Sequence, residues 1–230
     1  MAFIFTPSEP IKYSQFNYEK FLDYVVNNST LRDLSFIDDW KKFWKDKLQK
    51  EDETVQEYIK QNSDTNPLLI RAKQHPEQFK NRNEMYLYVY RSGHGEDFYF
   101  HFDIEKINDF IRLQEPTKLT LKLDDFYIDP DTKYSDNNVQ DQRLPFFAPM
   151  FTIDKPYILI DGNKRVTARI NKGIRSFECY EIHPNILMQS FFTKLEMWFY
   201  TLLYETKLFT ILLYEGKTSE EIRRYSNAFN

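Results

Sequence analysis

The chain has 230 residues and a formal net charge of −4, because 35 Asp and Glu residues outnumber 31 Lys and Arg residues. This balance argues against broad, sequence-independent binding to nucleic acid or to anionic membrane surfaces. The single cysteine, Cys179, excludes an intramolecular disulfide and a cysteine-based zinc site. Aromatic residues make up 17% of the chain, which predicts a core built largely on rings.

Residues 1–115 are predicted to be mostly helical. Apolar residues between Phe16 and Val26 fit one helical face, and those between Trp40 and Leu48 form a second stripe. Lysines on the far side of the second stripe predict a basic face that neighbouring acidic residues would balance. Near the end of this region, two β-prone aromatic runs flank a glycine-containing loop, which predicts a hairpin at 85–102.

Residues 116–183 alternate between strand-like and helix-like patterns and are predicted to form a separate domain. Leucines alternate with polar residues from 119 to 123, as in a half-buried strand. The apolar run at 157–160 predicts a short buried strand, Asp161 and Gly162 a turn, and 163–172 a helix. Gly173 is well placed to end that helix.

Residues 184–230 are predicted to be a helical extension that packs on the core. The segment 186–214 is apolar on nearly every side, which is typical of a buried helix or a partner surface, so a homodimer through these helices is one interpretation. Four charged residues interrupt this segment, so no membrane span is predicted. The amino terminus lacks a signal-peptide pattern, and we expect a cytoplasmic protein.

The strand-turn-helix at 157–172 has the clearest chemical character in the chain. A strand that turns through glycine into a helix presents unpaired backbone N–H groups at the helix start. Lys164 and Arg165 lie in the first turn, where the positive end of the helix dipole disfavours cations unless an anion is bound. Arg169, four residues after Arg165, adds a cation on the same face. The alternatives are a solvated helix face and an ion pair with Asp161 or Asp154.

The motif Ile160-Asp-Gly-Asn-Lys-Arg-Val-Thr-Ala168 resembles the signature of the ParB/sulfiredoxin superfamily. In that signature a strand leads through Gly-x-x-Arg into a helix with an alanine, followed by a glycine and another strand. Gly162, Arg165, Ala168 and Gly173 fall on those positions. The resemblance covers roughly residues 117–183. It implies an α+β fold with a small mixed-sheet ParB/sulfiredoxin-like core, flanked by amino- and carboxy-terminal helices.

The resemblance also implies a binding site for nucleotide phosphates, with ATP or CTP and Mg²⁺ as ligands. The residues at the implied site are Gly162, Asn163, Lys164 and Arg165, with Arg169 beside them. Some members of the superfamily are kinases or nucleotide hydrolases, which need a carboxylate to hold Mg²⁺ or to accept a proton.

Three aspartates are candidates for these catalytic roles. Asp161, at the turn, is the candidate for both the metal and the proton. Asp124 and Asp125 follow a predicted neighbouring strand and are expected to face the same crevice. The alternative for all three is ordinary turn chemistry, which aspartate performs routinely.

Three functions stay open from the sequence. The first is a nucleotide-binding protein that acts as a Mg²⁺-dependent hydrolase or phosphotransferase. The second is a DNA-associated ParB-like protein; the net charge disfavours it, and 217–222 resembles the start of a helix-turn-helix whose recognition helix does not follow. The third is a non-catalytic interaction module on the same scaffold. Reduction of a sulfinic acid is not expected, because Asn163 stands where sulfiredoxin chemistry needs a cysteine.

Overall fold

The structure, a computed structural model, describes residues 2–5, 16–61, 83–113, 116–130, 132–151 and 155–229. These residues form seven α-helices: α1 Tyr18–Asn27, α2 Ile37–Gln61, α3 Ile104–Leu113, α4 Asn163–Asn171, α5 Pro184–Ser190, α6 Lys194–Tyr214 and α7 Ser219–Arg223. They also form eight strands: β1 Ala2–Phe5, β2 Asn83–Arg91, β3 Asp97–Asp103, β4 Thr117–Lys122, β5 Phe126–Tyr127, β6 Phe146–Pro149, β7 Tyr157–Asp161 and β8 Ser176–Glu181. The α+β prediction is confirmed, with helices before and after a mixed sheet in the chain.

Strands β4 to β8 form one five-stranded sheet in the order β4-β8-β6-β7-β5. The β4/β8 and β6/β7 pairs are antiparallel, whereas β6/β8 and β5/β7 are parallel. β1, β2 and β3 form a second, three-stranded sheet. The predicted hairpin is therefore present as β2 and β3, joined by a turn at 92–96.

The five-stranded sheet and α4 share a hydrophobic core. Its buried members come from all five strands and from α4: Leu121, Phe126, Phe147, Leu159, Val166, Phe177 and Cys179. Each large side chain of this kind contributes roughly 1.5–3 kcal/mol on burial. Val166 lies one residue after Arg165, so this core fixes α4 against the sheet and thereby positions the turn at 161–162.

The chain divides into two compact units, and both are discontinuous in sequence. One contains 101–192 together with 2–5 and 83–87; the other contains 16–61, 88–100 and 193–229. The sequence instead predicts three consecutive segments, 1–115, 116–183 and 184–230. Residues 193–229, most of the predicted carboxy-terminal extension, thus belong to the same compact unit as the amino-terminal helices.

Ring packing explains this grouping of the carboxy-terminal helices. Phe199 of α6 stacks on Phe98 of the hairpin, with ring centroids 3.9 Å apart and an interplanar angle of 6°. Trp198 meets Trp44 of α2 at 6.1 Å. Aromatic pairs at such distances contribute about 0.5–1.5 kcal/mol beyond the area they bury. The rings of α6 therefore have their partners on α2 and on the hairpin.

Two features of the helices follow from side-chain chemistry. The apolar segment 186–214 is broken between α5 and α6, where Thr193 and Glu196 form a capping box that starts α6. On α2, the predicted basic face is balanced by acids: Lys41 contacts Asp23, Lys45 lies 3.0 Å from Glu19, and Lys47 lies 3.5 Å from Glu51.

Among the helices described, none is long and apolar enough to cross a membrane.

Candidate functional site

The first turn of α4 starts without a side-chain cap. Gly162 occupies the N-cap position in the left-handed region, with φ of 94°, and no acidic residue lies in the first turn. The first intrahelical bond runs from the Val166 amide to the Gly162 carbonyl, 2.9 Å away. Among the described residues, nothing accepts a hydrogen bond from the amides of Asn163, Lys164 and Arg165. The predicted strand-turn-helix is thus present.

Only glycine fits at position 162. A Cβ added there would lie 2.9 Å from the Arg165 guanidinium and 2.9 Å from the Pro145 side chain. The positive φ is itself unfavourable for any residue with a Cβ. The turn therefore brings the backbone close to both the Arg165 head group and the segment before β6.

Arg165 is buried, with 6% of its surface exposed. Its Nη2 donates to Asp161 Oδ2 at 3.2 Å and to the Leu144 carbonyl at 3.5 Å. Its Nη1 lies 3.7 Å from Asp141 Oδ2. Of the alternatives that the sequence left open, the ion pair with Asp161 is present, and Asp154 lies outside the described residues. Arg165 is not an exposed cation, because two carboxylates surround its head group.

Asp141 organises the segment that precedes β6. Its carboxylate accepts hydrogen bonds from the Arg143 guanidinium, at 2.7 Å from Nη2 and 3.1 Å from Nε, and from the Arg143 amide at 3.1 Å. These bonds, led by those of the guanidinium, hold the pKa of the Asp141 carboxyl well below its usual range. The Asp141 carbonyl accepts a hydrogen bond from Arg169. Two arginines of α4 thus fasten this segment to the helix.

Lys164 is the cation that the turn presents to solvent. Its side chain is exposed, and it forms no ion pair with any described residue. It lies in the same helical turn as the three amides that have no acceptor. The pair of cations predicted from sequence is therefore divided: Lys164 faces outward and Arg165 faces inward.

Glu84, on β2, belongs to the same cluster of charges. Burial raises the pKa of the Glu84 carboxyl above its usual range, and the negative charge of Asp161 adds to the rise. The positive charges of Lys164, Arg143 and Arg165 oppose it. These electrostatic interactions show that a half-buried carboxylate from the three-stranded sheet lies near the turn. Sequence reasoning missed it, because nothing in the β2 pattern distinguishes this glutamate from a strand-surface residue.

Three buried polar atoms in α4 have no hydrogen-bonding partner among the described residues: Asn163 Oδ1, Arg165 Nε and Thr167 Oγ1. Asn163 is 5% exposed and uses its Nδ2 to donate to the Leu159 carbonyl at 3.1 Å. Unpaired buried polar groups are uncommon in native proteins and call for a ligand, an ion or water. Two of the three lie in the uncapped first turn.

Asp124 and Asp125 lie at the other end of β7 from Asp161. β5 and β7 are parallel, and Phe126 pairs with Tyr157, the first residue of β7. Asp125 accepts a hydrogen bond from the Lys122 amide at 2.7 Å and caps a short 3₁₀ turn, and Asp124 is exposed. The expectation that this pair faces the crevice of Asp161 is wrong. The parallel register places the start of β5, which follows Asp125, beside the start of β7, whereas Asp161 is at the end of β7.

No family model matches the chain, and no curated protein or solved structure gives a match. Assignment to the ParB/sulfiredoxin superfamily therefore stays a proposal that depends on the motif at 160–168 and on its position between β7 and β8.

Proposed function

We propose that the chain is a nucleotide-binding protein of the ParB/sulfiredoxin type, which binds a nucleotide phosphate at the start of α4. The observation that carries the proposal is the uncapped first turn, with three amides that lack acceptors and an exposed Lys164 beside them. The unpaired Asn163 Oδ1 and Arg165 Nε support it. The same proposal includes the cytoplasmic location, which cell fractionation would test.

Helix polarity and hydrogen bonding favour an anion at this turn. The helix dipole stabilises a negative charge at the N-terminus by about 0.3–1 kcal/mol. Hydrogen bonds from backbone amides to a charged phosphate oxygen contribute roughly 1.5–3 kcal/mol each. Lys164 adds a point charge of the kind that phosphate sites use. Without an anion, the same lysine lies in an unfavourable place.

Arg165 and Arg169 have a positioning role in this proposal. Their guanidinium groups hold Asp161 and the segment after Asp141, and a phosphate would bind to the turn that they shape. This differs from the sequence prediction, in which both arginines contact the ligand directly.

Asp161 is the residue that would hold Mg²⁺. Its Oδ2 accepts from Arg165, whereas its Oδ1 has no partner among the described residues, and its side chain is 27% exposed. Mg²⁺ in nucleotide sites commonly takes one or two carboxylates and completes its shell with phosphate oxygens and water. A single carboxylate of this kind fits Mg²⁺ that is bound together with a nucleotide. The bound ion would supply charge neutralisation at the phosphates.

We extend the binding proposal to a catalytic activity, either hydrolysis of the nucleotide or phosphoryl transfer from it. Either reaction needs a group that accepts a proton from water or from an acceptor hydroxyl. Glu84 is suited to that role, since burial raises the pKa of its carboxyl above the usual range and it lies near Asp161 and Lys164.

Calorimetric titration with ATP and with CTP, each with Mg²⁺, tests the binding proposal. We expect Lys164→Ala to weaken binding about tenfold, because one charge-assisted contact is lost. Lys172→Ala is the matched control: Lys172 ends the same helix and lies 3.9 Å from Asp136, so this change should leave affinity within about twofold. In a phosphate-release assay, Glu84→Gln should retain binding and lose turnover.

Two results would contradict the proposal. Wild-type protein that gives no heat with either nucleotide would remove its support. Equal losses for Lys164→Ala and Lys172→Ala would show that only overall charge matters. Turnover that survives Glu84→Gln would overturn the role of Glu84 and leave the binding proposal intact.

A further inference from the structure

The second half of α6 carries an exposed apolar stripe, which consists of Tyr204, Leu208, Ile211 and Tyr214. Three of these residues are exposed, by 43% at Tyr204, 43% at Ile211 and 80% at Tyr214, and Leu208 is half-buried. Intervals of four, three and three residues place them on one side of a helix. We refer to these four residues as the α6 stripe.

The α6 stripe is a second apolar face of a helix that already has a core side. Phe209, Leu202 and Leu203 of the same helix are buried. A helix of an isolated domain needs one apolar face, and the remainder is usually polar. Contiguous exposed apolar side chains more often mark interaction surfaces than ordinary solvent-facing positions.

Charges around the α6 stripe are arranged symmetrically about Ile211. Lys207 precedes Ile211 by four residues and Glu215 follows it by four, and both side chains are exposed. Neither forms an ion pair within the described part of the chain. Leu208 and Tyr214 are likewise three residues to either side. If two copies of α6 crossed antiparallel on a two-fold axis at Ile211, each Lys207 would lie opposite a Glu215 of the other copy.

Self-complementarity of this kind is what a two-fold interface requires, because the same surface must serve both partners. Tyrosine at two of the four stripe positions agrees with the enrichment of that residue in interfaces. We propose that the α6 stripe binds a second copy of this chain, as an antiparallel helix pair with Ile211 at its centre and Lys207–Glu215 pairs on both sides.

Sedimentation equilibrium over a wide range of protein concentration tests this proposal. We expect wild-type protein to dimerise, and Ile211→Glu to weaken the dimer by about 100-fold, because it places two carboxylates at the centre of an apolar contact. At protein concentrations where both are monomeric, its circular dichroism melt should match that of wild type, since Ile211 is exposed and association no longer adds to stability.

Charge reversal tests the antiparallel register separately. Lys207→Glu and Glu215→Lys should each weaken the dimer about tenfold, because each creates two like-charge pairs. The double variant K207E/E215K restores opposite charges and should return to within about threefold of wild type. Lys194→Glu, on the same helix and outside the stripe, is the matched control and should have no effect.

Three results would overturn the proposal: a wild-type chain that stays monomeric at every concentration, a dimer that Ile211→Glu leaves intact, or a double variant no better than its single parents. Because none of these variants touches the turn at 161–165, their outcome is independent of nucleotide binding.

Discussion

Gly162 meets two independent requirements of the site. Its φ of 94° lies in the left-handed region, and its missing side chain leaves room for the Arg165 head group and for Pro145. Gly173, at the other end of α4, meets only the first requirement: its φ is 88°, and an added Cβ would have no atom within 4 Å. A comparison of the two glycines therefore distinguishes the cost of backbone strain from the cost of close packing.

We expect Gly162→Ala to lower the free energy of unfolding by about 3 kcal/mol or more, since left-handed strain costs about 1–2 kcal/mol and overpacking about 1–3 kcal/mol. Gly173→Ala should cost about 1–2 kcal/mol, from strain alone. Urea unfolding of both variants measures the difference. Equal losses would contradict the close approach of Arg165 and Pro145 to the turn.

At the scale of single residues, the sequence predicts which residues carry charge near the turn but does not predict which groups surround them. Two adjacent cations, Lys164 and Arg165, are predicted to act alike, and the structure exposes one and buries the other. The difference depends on Asp141, which lies 24 residues before Arg165 in an irregular segment. No local sequence spacing predicts such a contact. Glu84 was not predicted for the same reason, because it too is distant in sequence from the turn.

Helix α4 and the segment 141–145 are held together by arginine contacts to Asp141. Arg165 and Arg169 reach from the helix to Asp141, and Arg143 completes the contact from within the segment. The pKa of Asp141 is lowered in the folded state, so its carboxylate contributes stability above its unfolded pKa. That contribution is lost as the pH falls through the folded value.

We expect Asp141→Asn to lower the free energy of unfolding at pH 7 by about 1 kcal/mol, a modest value because solvent reaches the Arg143 side of the pair. The difference from wild type should shrink as the pH falls below about 4, where the wild-type carboxylate begins to take up a proton in the unfolded state. Asp136→Asn is the control, because Asp136 is 86% exposed and has one 3.9 Å contact. Urea unfolding at pH 7, 5 and 3 checks both. A constant difference at all three pH values would contradict the role given to the Asp141 charge.

Elements whose signals are local could be predicted, and pairings between distant elements could not. The β7-turn-α4 pattern, the β2/β3 hairpin and the Gly173 helix end follow from short-range periodicity and turn residues. The parallel pairing of β5 with β7 joins strands about 30 residues apart, so the position of Asp124 and Asp125 is outside the reach of such patterns. The break between α5 and α6 did have a local signal, the Thr193-x-x-Glu196 capping box, within a segment that reads as uniformly apolar.

At the scale of the whole molecule, each compact unit is built from segments that are not consecutive in the chain. The sequence predicts consecutive segments, whereas the structure groups α6 and α7 with the amino-terminal helices and divides the hairpin. Rings from three separate regions decide this grouping, and ring content alone does not say which rings meet. The sequence pattern predicted both helices and strands, and the resemblance to the ParB/sulfiredoxin superfamily implied the mixed sheet; the ParB/sulfiredoxin identity of that sheet and its nucleotide remain proposals.

The most direct test is an amide chemical-shift titration of ¹⁵N-labelled, assigned protein with ATP or CTP and Mg²⁺. We predict that the largest shifts occur at the amides of Asn163, Lys164 and Arg165, because these donors would receive the phosphate oxygens. Amides at the α6 stripe should not move. Unchanged shifts at 163–165 under saturating nucleotide, or shifts confined to other elements, would contradict phosphate binding at the start of α4.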